Sequence, residues 1–481
     1  MDSKKMDKDV PKHQKYIDFY TNHSKTDTEY WGLGIENETY LVLNDLIDVP
    51  KETYLTSRAR ERYSVNYWLN YKDKPLLDAL SYLPDKILTP KYVNSHSFTR
   101  ADIHGEHATL YRKVPVPNPK FTGTTVDAYL NEKSAVVREL FEKNMIYDGD
   151  TFEFTTFDFY KASVQSTVAE LNRIKATYLR EVNEHLPELG SLSYPTVNHG
   201  FAIHSTNPRN IATCNNSTYH INITLPTKLK DGSIANEKEF KNKHANAIRG
   251  IQWIEPLLVA LYGTPDILSC FDPAYAGGSQ RLALSRYIGL GTYETSRMEK
   301  GKLMDTTPSA YMKYLHEKSH YNPPSVTGYD FNYNKFTKHG IEFRALDAFP
   351  VQYLEPVMNF LVLICDYSTK HAIPDPIHET AWTEATVEVL RKGSVAIIEP
   401  PYYRAIRTIF GMNTWASFCR DFFSCGEVML PLPLMQSISD SLWKKRGDVS
   451  AKLSPGMTPP QFVDYNGEVK KTFRKMMGMF T

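Results

Sequence analysis

Four short stretches of the sequence set carboxylates or an imidazole against apolar neighbours. In GLGIENETYLVL, Glu36 and Glu38 are two positions apart, so on a strand both carboxylates project from one face while Ile35 projects from the other. In DTFEFTTFDF the same code puts Glu153 opposite Phe152 and Phe154. STYHINITL alternates Tyr219, Ile221, Ile223 and Leu225 with His220, Asn222 and Thr224, and HGIEFRAL sets Ile341 and Phe343 against Glu342 and Arg344. A lone Glu-x-Glu is most often a solvated sheet face. Four strands that each present ligand-grade groups opposite apolar ones imply a shared polar interior.

Carboxylates gathered in such an interior repel one another and are costly to desolvate unless cations lie between them. Hard oxygen donors with one imidazole favour Mg²⁺ or Mn²⁺ over zinc, which takes more His and Cys. His220 read by itself, without the neighbouring motifs, is more commonly a hydrogen-bonded core histidine. In GGSQRLALSR, Arg281 and Arg286 offer cationic donors, or pair with surface acids. His104, Glu106 and His107 lie close together without the helical spacing of a zinc motif, and are at best a substrate-side loop.

The elements that must carry these residues follow from periodicity. Tyr30 to Leu43 alternates like a strand pair, and Phe152 to Tyr160, Tyr219 to Leu225 and Gly340 to Leu346 are further strands. Lys15 to His23 is a short helix, and residues 55 to 145 are loops and strands ending in one helix, Thr125 to Lys143. Ser163 to Glu184 is a long helix with an apolar face at Val168, Leu171, Ile174 and Leu179. His244 to Tyr262 and Gln352 to Tyr367 are strongly apolar helices; from Ile373 the chain is mainly helical, broken at Pro400-Pro401 and at Pro431 to Pro433. The expected fold is α+β: a curved antiparallel sheet flanked by helices, with a helical C-terminal extension. The division is a tail and short helix over 1–28, a catalytic domain over 29–370 and the extension over 371–481.

Lys plus Arg number 56 against 55 for Asp plus Glu, so no overall basic field exists to hold nucleic acid. The apolar runs near Ile254 to Tyr262 and Val357 to Cys365 are about half of the roughly 20 residues a membrane helix needs. Cys214, Cys270, Cys365, Cys419 and Cys425 are scattered, without a CxxC pair or a signal peptide ahead of them, and read as reduced, buried fillers in a cytoplasmic protein.

With these residues in view, the chain resembles the glutamine synthetase and glutamate-cysteine ligase superfamily of carboxylate–amine ligases, the amidoligases. GIENE is similar to that family's first acidic strand, and FEFTT before a long helix resembles its glutamate-cysteine ligase branch. NNSTYHINIT resembles the Ser-containing turn that leads into a His-bearing strand, GGSQRLALSR the small-residue turn whose Arg meets phosphate, and HGIEFRALDAFPVQYLEPV the closing strand-then-helix motif. The matches run in order from about Tyr30 to Tyr367; residues 50 to 125 and the last hundred or so match nothing in that family.

The resemblance implies a glutamine synthetase-like fold with ATP and Mg²⁺ (or Mn²⁺) as cofactors. Glu36, Glu38, Glu153, His220 and Glu342 become metal ligands, with Glu36, Glu153 and Glu342 on one side and Glu38 and His220 on the nucleotide side. His220, Asn222, Arg281, Arg286 and Arg344 become nucleotide-binding, and Arg344 and Arg281 catalytic; Asn222 stands where some relatives carry a second His. The implied reaction joins a small-molecule carboxylate to an amine, such as two amino acids, in a γ-glutamylcysteine-like amide through an acyl phosphate, in a monomer or a homo-oligomer. Two other classes remain open: a guanidino-kinase-like phosphotransferase, and a non-catalytic structural protein that keeps the ligase fold.

Overall fold

The segment GLGIENET reads as a strand because its odd positions, Leu33 and Ile35, are apolar while Glu36 and Glu38 fall on the alternate phase, and it forms β1 (Gly32–Thr39), buried along its whole length. The computed structural model describes residues 31–43, 92–93, 95, 124–148, 151–156, 163–195, 217–226, 229–230, 233–263, 279, 289–290, 292–293, 302–303, 331–333, 341–376, 378–392, 396–411 and 438. The further strands are β2 (Leu41–Leu43), β3 (Tyr92–Val93), β4 (Met145–Asp148), β5 (Thr151–Thr155), β6 (Leu192–Ser193), β7 (Thr218–Thr224), β8 (Leu229–Lys230), β9 (Ser233–Ile234), β10 (Gly289–Leu290), β11 (Thr292–Tyr293), β12 (Lys302–Leu303), β13 (Phe331–Tyr333) and β14 (Ile341–Phe343). The helices are α1 (Val126–Lys133), α2 (Ala135–Lys143), α3 (Val164–His185), α4 (Glu237–Tyr262), α5 (Leu354–Lys370), α6 (Thr380–Lys392) and α7 (Pro400–Ile409).

Among the described residues, the main sheet has seven strands in the order β11-β13-β14-β7-β1-β5-β4. Every pairing is antiparallel except β11 with β13 at one edge. A small antiparallel sheet, β3-β2-β6, continues from the end of β1. The protein is thus mixed α and β, with helices against an antiparallel sheet.

One face of the main sheet is apolar. Leu33 and Ile35 of β1, Phe152 and Phe154 of β5, Ile221 and Ile223 of β7, and Ile341 and Phe343 of β14 are all buried there. Helix α3 packs across β1 and β5, its Tyr178 ring 5.3 Å from Phe152 and 5.4 Å from Phe154. Helices α4 and α5 pack so closely that a Cβ at Gly250 would run into Ser368 Oγ, which is why the position needs glycine.

The C-terminal helices sit on α4. The Trp382 Nε1 donates to the Gln252 carbonyl at 2.8 Å, the Tyr402 hydroxyl donates to the Trp253 carbonyl, and Trp253 Nε1 donates to the Pro374 carbonyl at 2.9 Å. No helix among the described residues is long and apolar enough to cross a membrane.

Several elements differ from the sequence reading. The single helix expected over Thr125 to Lys143 is two, because Ser134 adopts an extended backbone and its hydroxyl accepts from Val137 N at 3.0 Å, capping α2. The buried face of α3 runs through Tyr178 and Val182; Leu179 is only partly buried, since a step of five from Ile174 leaves the stripe. Strand β4 is unanticipated, its four residues lying too close to a helix end to show a period. Pro400 and Pro401 start α7 instead of breaking a helix, as proline does in a first turn. The expected helix at Lys15 to His23 and the segment at Pro431 to Pro433 lie outside the described residues.

Candidate functional site

Strand pairing decides which side chains meet. Glu36 of β1 is directly opposite His220 of β7, Glu342 of β14 is opposite Asn222, and Glu38 is opposite Glu153 of β5 and Thr218 of β7. Cross-strand partners share a face. Glu36, Glu38, Glu153, His220, Asn222 and Glu342 therefore all lie on the side opposite the apolar packing.

The side chains converge. His220 Nδ1 is 3.3 Å from Glu342 Oε1, 3.4 Å from Glu36 Oε2 and 3.6 Å from Glu38 Oε1. Glu36, His220 and Glu342 each offer one ligand atom within 4.8 Å of the other two. All four carboxylates and the imidazole are buried, and Glu342 is fully so. Asn222 Nδ2 reaches Glu36 Oε1 at 3.5 Å. His220 Nε2 is buried and has no hydrogen-bond partner among the described residues.

Arg344 follows β14 and turns back over it, its Nη1 3.2 Å from Glu342 Oε1 and 3.4 Å from Oε2. Its side chain is 25% exposed while that of Glu342 is wholly enclosed, so the guanidinium bridges the buried acids and the outside. Four buried carboxylates, one imidazole and one guanidinium thus share the set, and the carboxylates repel one another. A divalent cation among them would offset that repulsion, and a donor set of carboxylate oxygens with one imidazole suits Mg²⁺ or Mn²⁺.

The turn into β7 carries a further constraint. Ser217 has φ 62°, the left-handed region, which a non-glycine residue occupies at a cost of about 1 kcal/mol. Its hydroxyl lies 2.9 Å from that of Thr39 at the end of β1, fixing where β7 starts and so where His220 falls.

The structure thus brings Glu36, His220 and Glu342 into one group, with Glu38 beside His220 and Glu153 on the next strand. The expected division placed His220 with Glu38, apart from Glu36, Glu153 and Glu342; His220 lies beside Glu38 and is also directly opposite Glu36 in the β1–β7 register. Arg281 and Arg286 lie outside the described residues, as do His104, Glu106 and His107. Of the cysteines, Cys365 is described: it is buried and its thiol is pushed up mainly by burial, which suits a filler and not a nucleophile.

The sequence reading passed over Asn37 and Lys175. Asn37 holds a position of β1 that falls on the apolar phase, and a polar side chain there needs partners on the helix side. That demand was the available signal.

No family model matches the chain. It is similar to "Uncharacterized protein R704" of Acanthamoeba polyphaga mimivirus, with 36% identity over 472 residues that span 94% of this chain and 81% of the relative.

Proposed function

We propose that this chain, which belongs to the same family as uncharacterized protein R704 of Acanthamoeba polyphaga mimivirus, is a magnesium- and ATP-dependent carboxylate–amine ligase on a glutamine synthetase-like fold. The observation that carries the reading is the convergence of Glu36, His220 and Glu342 from three adjacent antiparallel strands, with Arg344 against Glu342.

A carboxylate is a poor acyl electrophile, because its charge is delocalised and its leaving group would be oxide. Phosphorylation by ATP converts that oxygen into a leaving group, and attack by an amine on the acyl phosphate then gives an amide and phosphate. Bound Mg²⁺ would supply charge neutralisation at the phosphate oxygens. Glu36, His220 and Glu342, with Glu38 and Glu153 beside them, would hold it. Arg344 would present its planar donors to the transferring phosphoryl group while Glu342 fixes one end of the guanidinium. Arg281, by the resemblance, would add a second cationic donor, and Asn222 and Arg286 would take part in nucleotide binding. The apolar sheet face and α3 would keep the strands rigid beneath the acids, so the ligands are positioned before substrate arrives.

The test is a screen of amino-acid pairs for ADP release with Mg²⁺ and ATP, followed by mass spectrometry of the products. One pair giving ADP and an amide in equal amounts is the expected result. ADP with a phosphorylated guanidine would indicate a phosphotransferase, and no turnover with any pair despite tight Mg²⁺-ATP binding would favour a non-catalytic role.

A further inference from the structure

We infer that Lys175 and Asn37 are a positioning pair that sets the Glu36 and Glu38 carboxylates for a divalent cation from the opposite face of the sheet; the inference rests on the cation-binding reading above. Asn37 lies between the two acids on β1 and projects the other way, into the packing against α3. It is wholly buried, and both ends of its amide are used. Nδ2 donates to the Thr218 carbonyl at 2.9 Å, tying β1 to β7 two residues before His220, and Oδ1 accepts from Lys175 Nζ at 2.5 Å.

Lys175 is an unusual residue to place there. Its ammonium lies 4.4 Å from the centre of the Tyr194 ring, and the Tyr194 hydroxyl donates to the Lys175 carbonyl at 2.8 Å. No carboxylate pairs with it among the described residues, and burial pulls its pKa down to about 7. The Lys175 side chain is part-buried, and a methionine in its place would leave the buried Asn37 Oδ1 without the donor it now has. What the ammonium does is hold the Asn37 amide against Thr218, and Asn37 carries a ligand on either side. Groups that orient metal ligands from behind alter metal affinity by about 10- to 100-fold when removed.

The experiment measures Mn²⁺ affinity of the full chain by electron paramagnetic resonance, without nucleotide, for wild type, Lys175→Met, Asn37→Thr and the double variant. Each single variant should bind Mn²⁺ about tenfold more weakly, and the double variant no more weakly than either, because both break one linkage. The metal-free melting temperature of Lys175→Met should fall somewhat, because the buried Asn37 Oδ1 loses its donor, and Mn²⁺ affinity is compared at a temperature where both proteins are folded. A residue acting only through its charge would give the opposite sign, since removing a nearby cation tightens Mn²⁺ binding. Unchanged or tighter binding in a folded Lys175→Met protein overturns the inference and leaves the cation site standing. If Asn37→Thr does not fold, Lys175→Met decides by itself. Wild-type protein that binds no Mn²⁺ would overturn the cation site, and this inference with it.

Discussion

Replacing Glu36 by glutamine should make the metal-free protein more stable and the metal-loaded protein less so. Glu36 and Glu342 offer oxygens within 4.8 Å of each other in a buried setting. At an effective dielectric of about 20, that pair repels by about 3 kcal/mol. Arg344, against Glu342, offsets part of this, so the isosteric change should raise metal-free stability by about 1–2 kcal/mol. The glutamine carbonyl still accepts from Asn222 Nδ2. Unfolding entropy of about 2 cal/mol/K per residue over 481 residues converts 1 kcal/mol to about 1 °C. Wild type in Mg²⁺ at a hundred times its dissociation constant should gain about 2.7 kcal/mol, or about 3 °C. Calorimetry at pH 8 with EDTA and then with Mg²⁺ should show the two proteins cross: Glu36→Gln melts higher in EDTA and lower in Mg²⁺. A variant that melts lower than wild type in EDTA and responds equally to Mg²⁺ would mean Glu36 is structural and the acids hold no cation.

Arg344→Lys keeps the charge but loses the planar fork, so turnover should fall by on the order of 10² with ATP affinity and melting temperature near wild type; steady-state ADP release beside a melting curve checks it, and undiminished turnover in a stable variant would remove Arg344 from catalysis. Lys175, brought down to about 7 in the folded chain, binds its proton more tightly when unfolded, so stability should rise with pH from about 7 to about 10 with a slope of up to about 1.4 kcal/mol per unit. Denaturant titrations across that window should show the rise in wild type and its loss in Lys175→Met. Trp382→Ala removes a fully buried ring and its bond to the Gln252 carbonyl, and should cost about 3–5 kcal/mol in chemical denaturation. A loss near zero there would mean that α6 does not stabilise α4.

The faces of the strands were legible because a period of two is enforced wherever one side is buried: Ile35, Phe154, Ile221 and Phe343 had to lie together once Glu36, Glu153, His220 and Glu342 did. Which acid met which was not legible, since register between β1 and β7 is set by pairing across a separation of 181 positions, as Asn37 to Thr218 shows. The break at Ser134 was hidden because serine is tolerated inside a helix and caps one equally well. Strands of two or three residues such as β6 and β14 lack enough alternation to delimit them. The buried parts of α4 and α5 were plain, because they read as nearly continuous hydrophobic runs; the polar start of α4, from Glu237 to Lys243, was not.

The most direct test replaces the amine with hydroxylamine. Purified protein is incubated with ATP, Mg²⁺ and a mixture of amino acids as carboxylate donors, and hydroxamate is assayed with ferric iron beside ADP. A ligase that forms an acyl phosphate should yield hydroxamate and ADP in equal amounts, with both abolished by EDTA. ADP without hydroxamate, or neither product from protein that binds Mg²⁺-ATP, would contradict the proposed reaction.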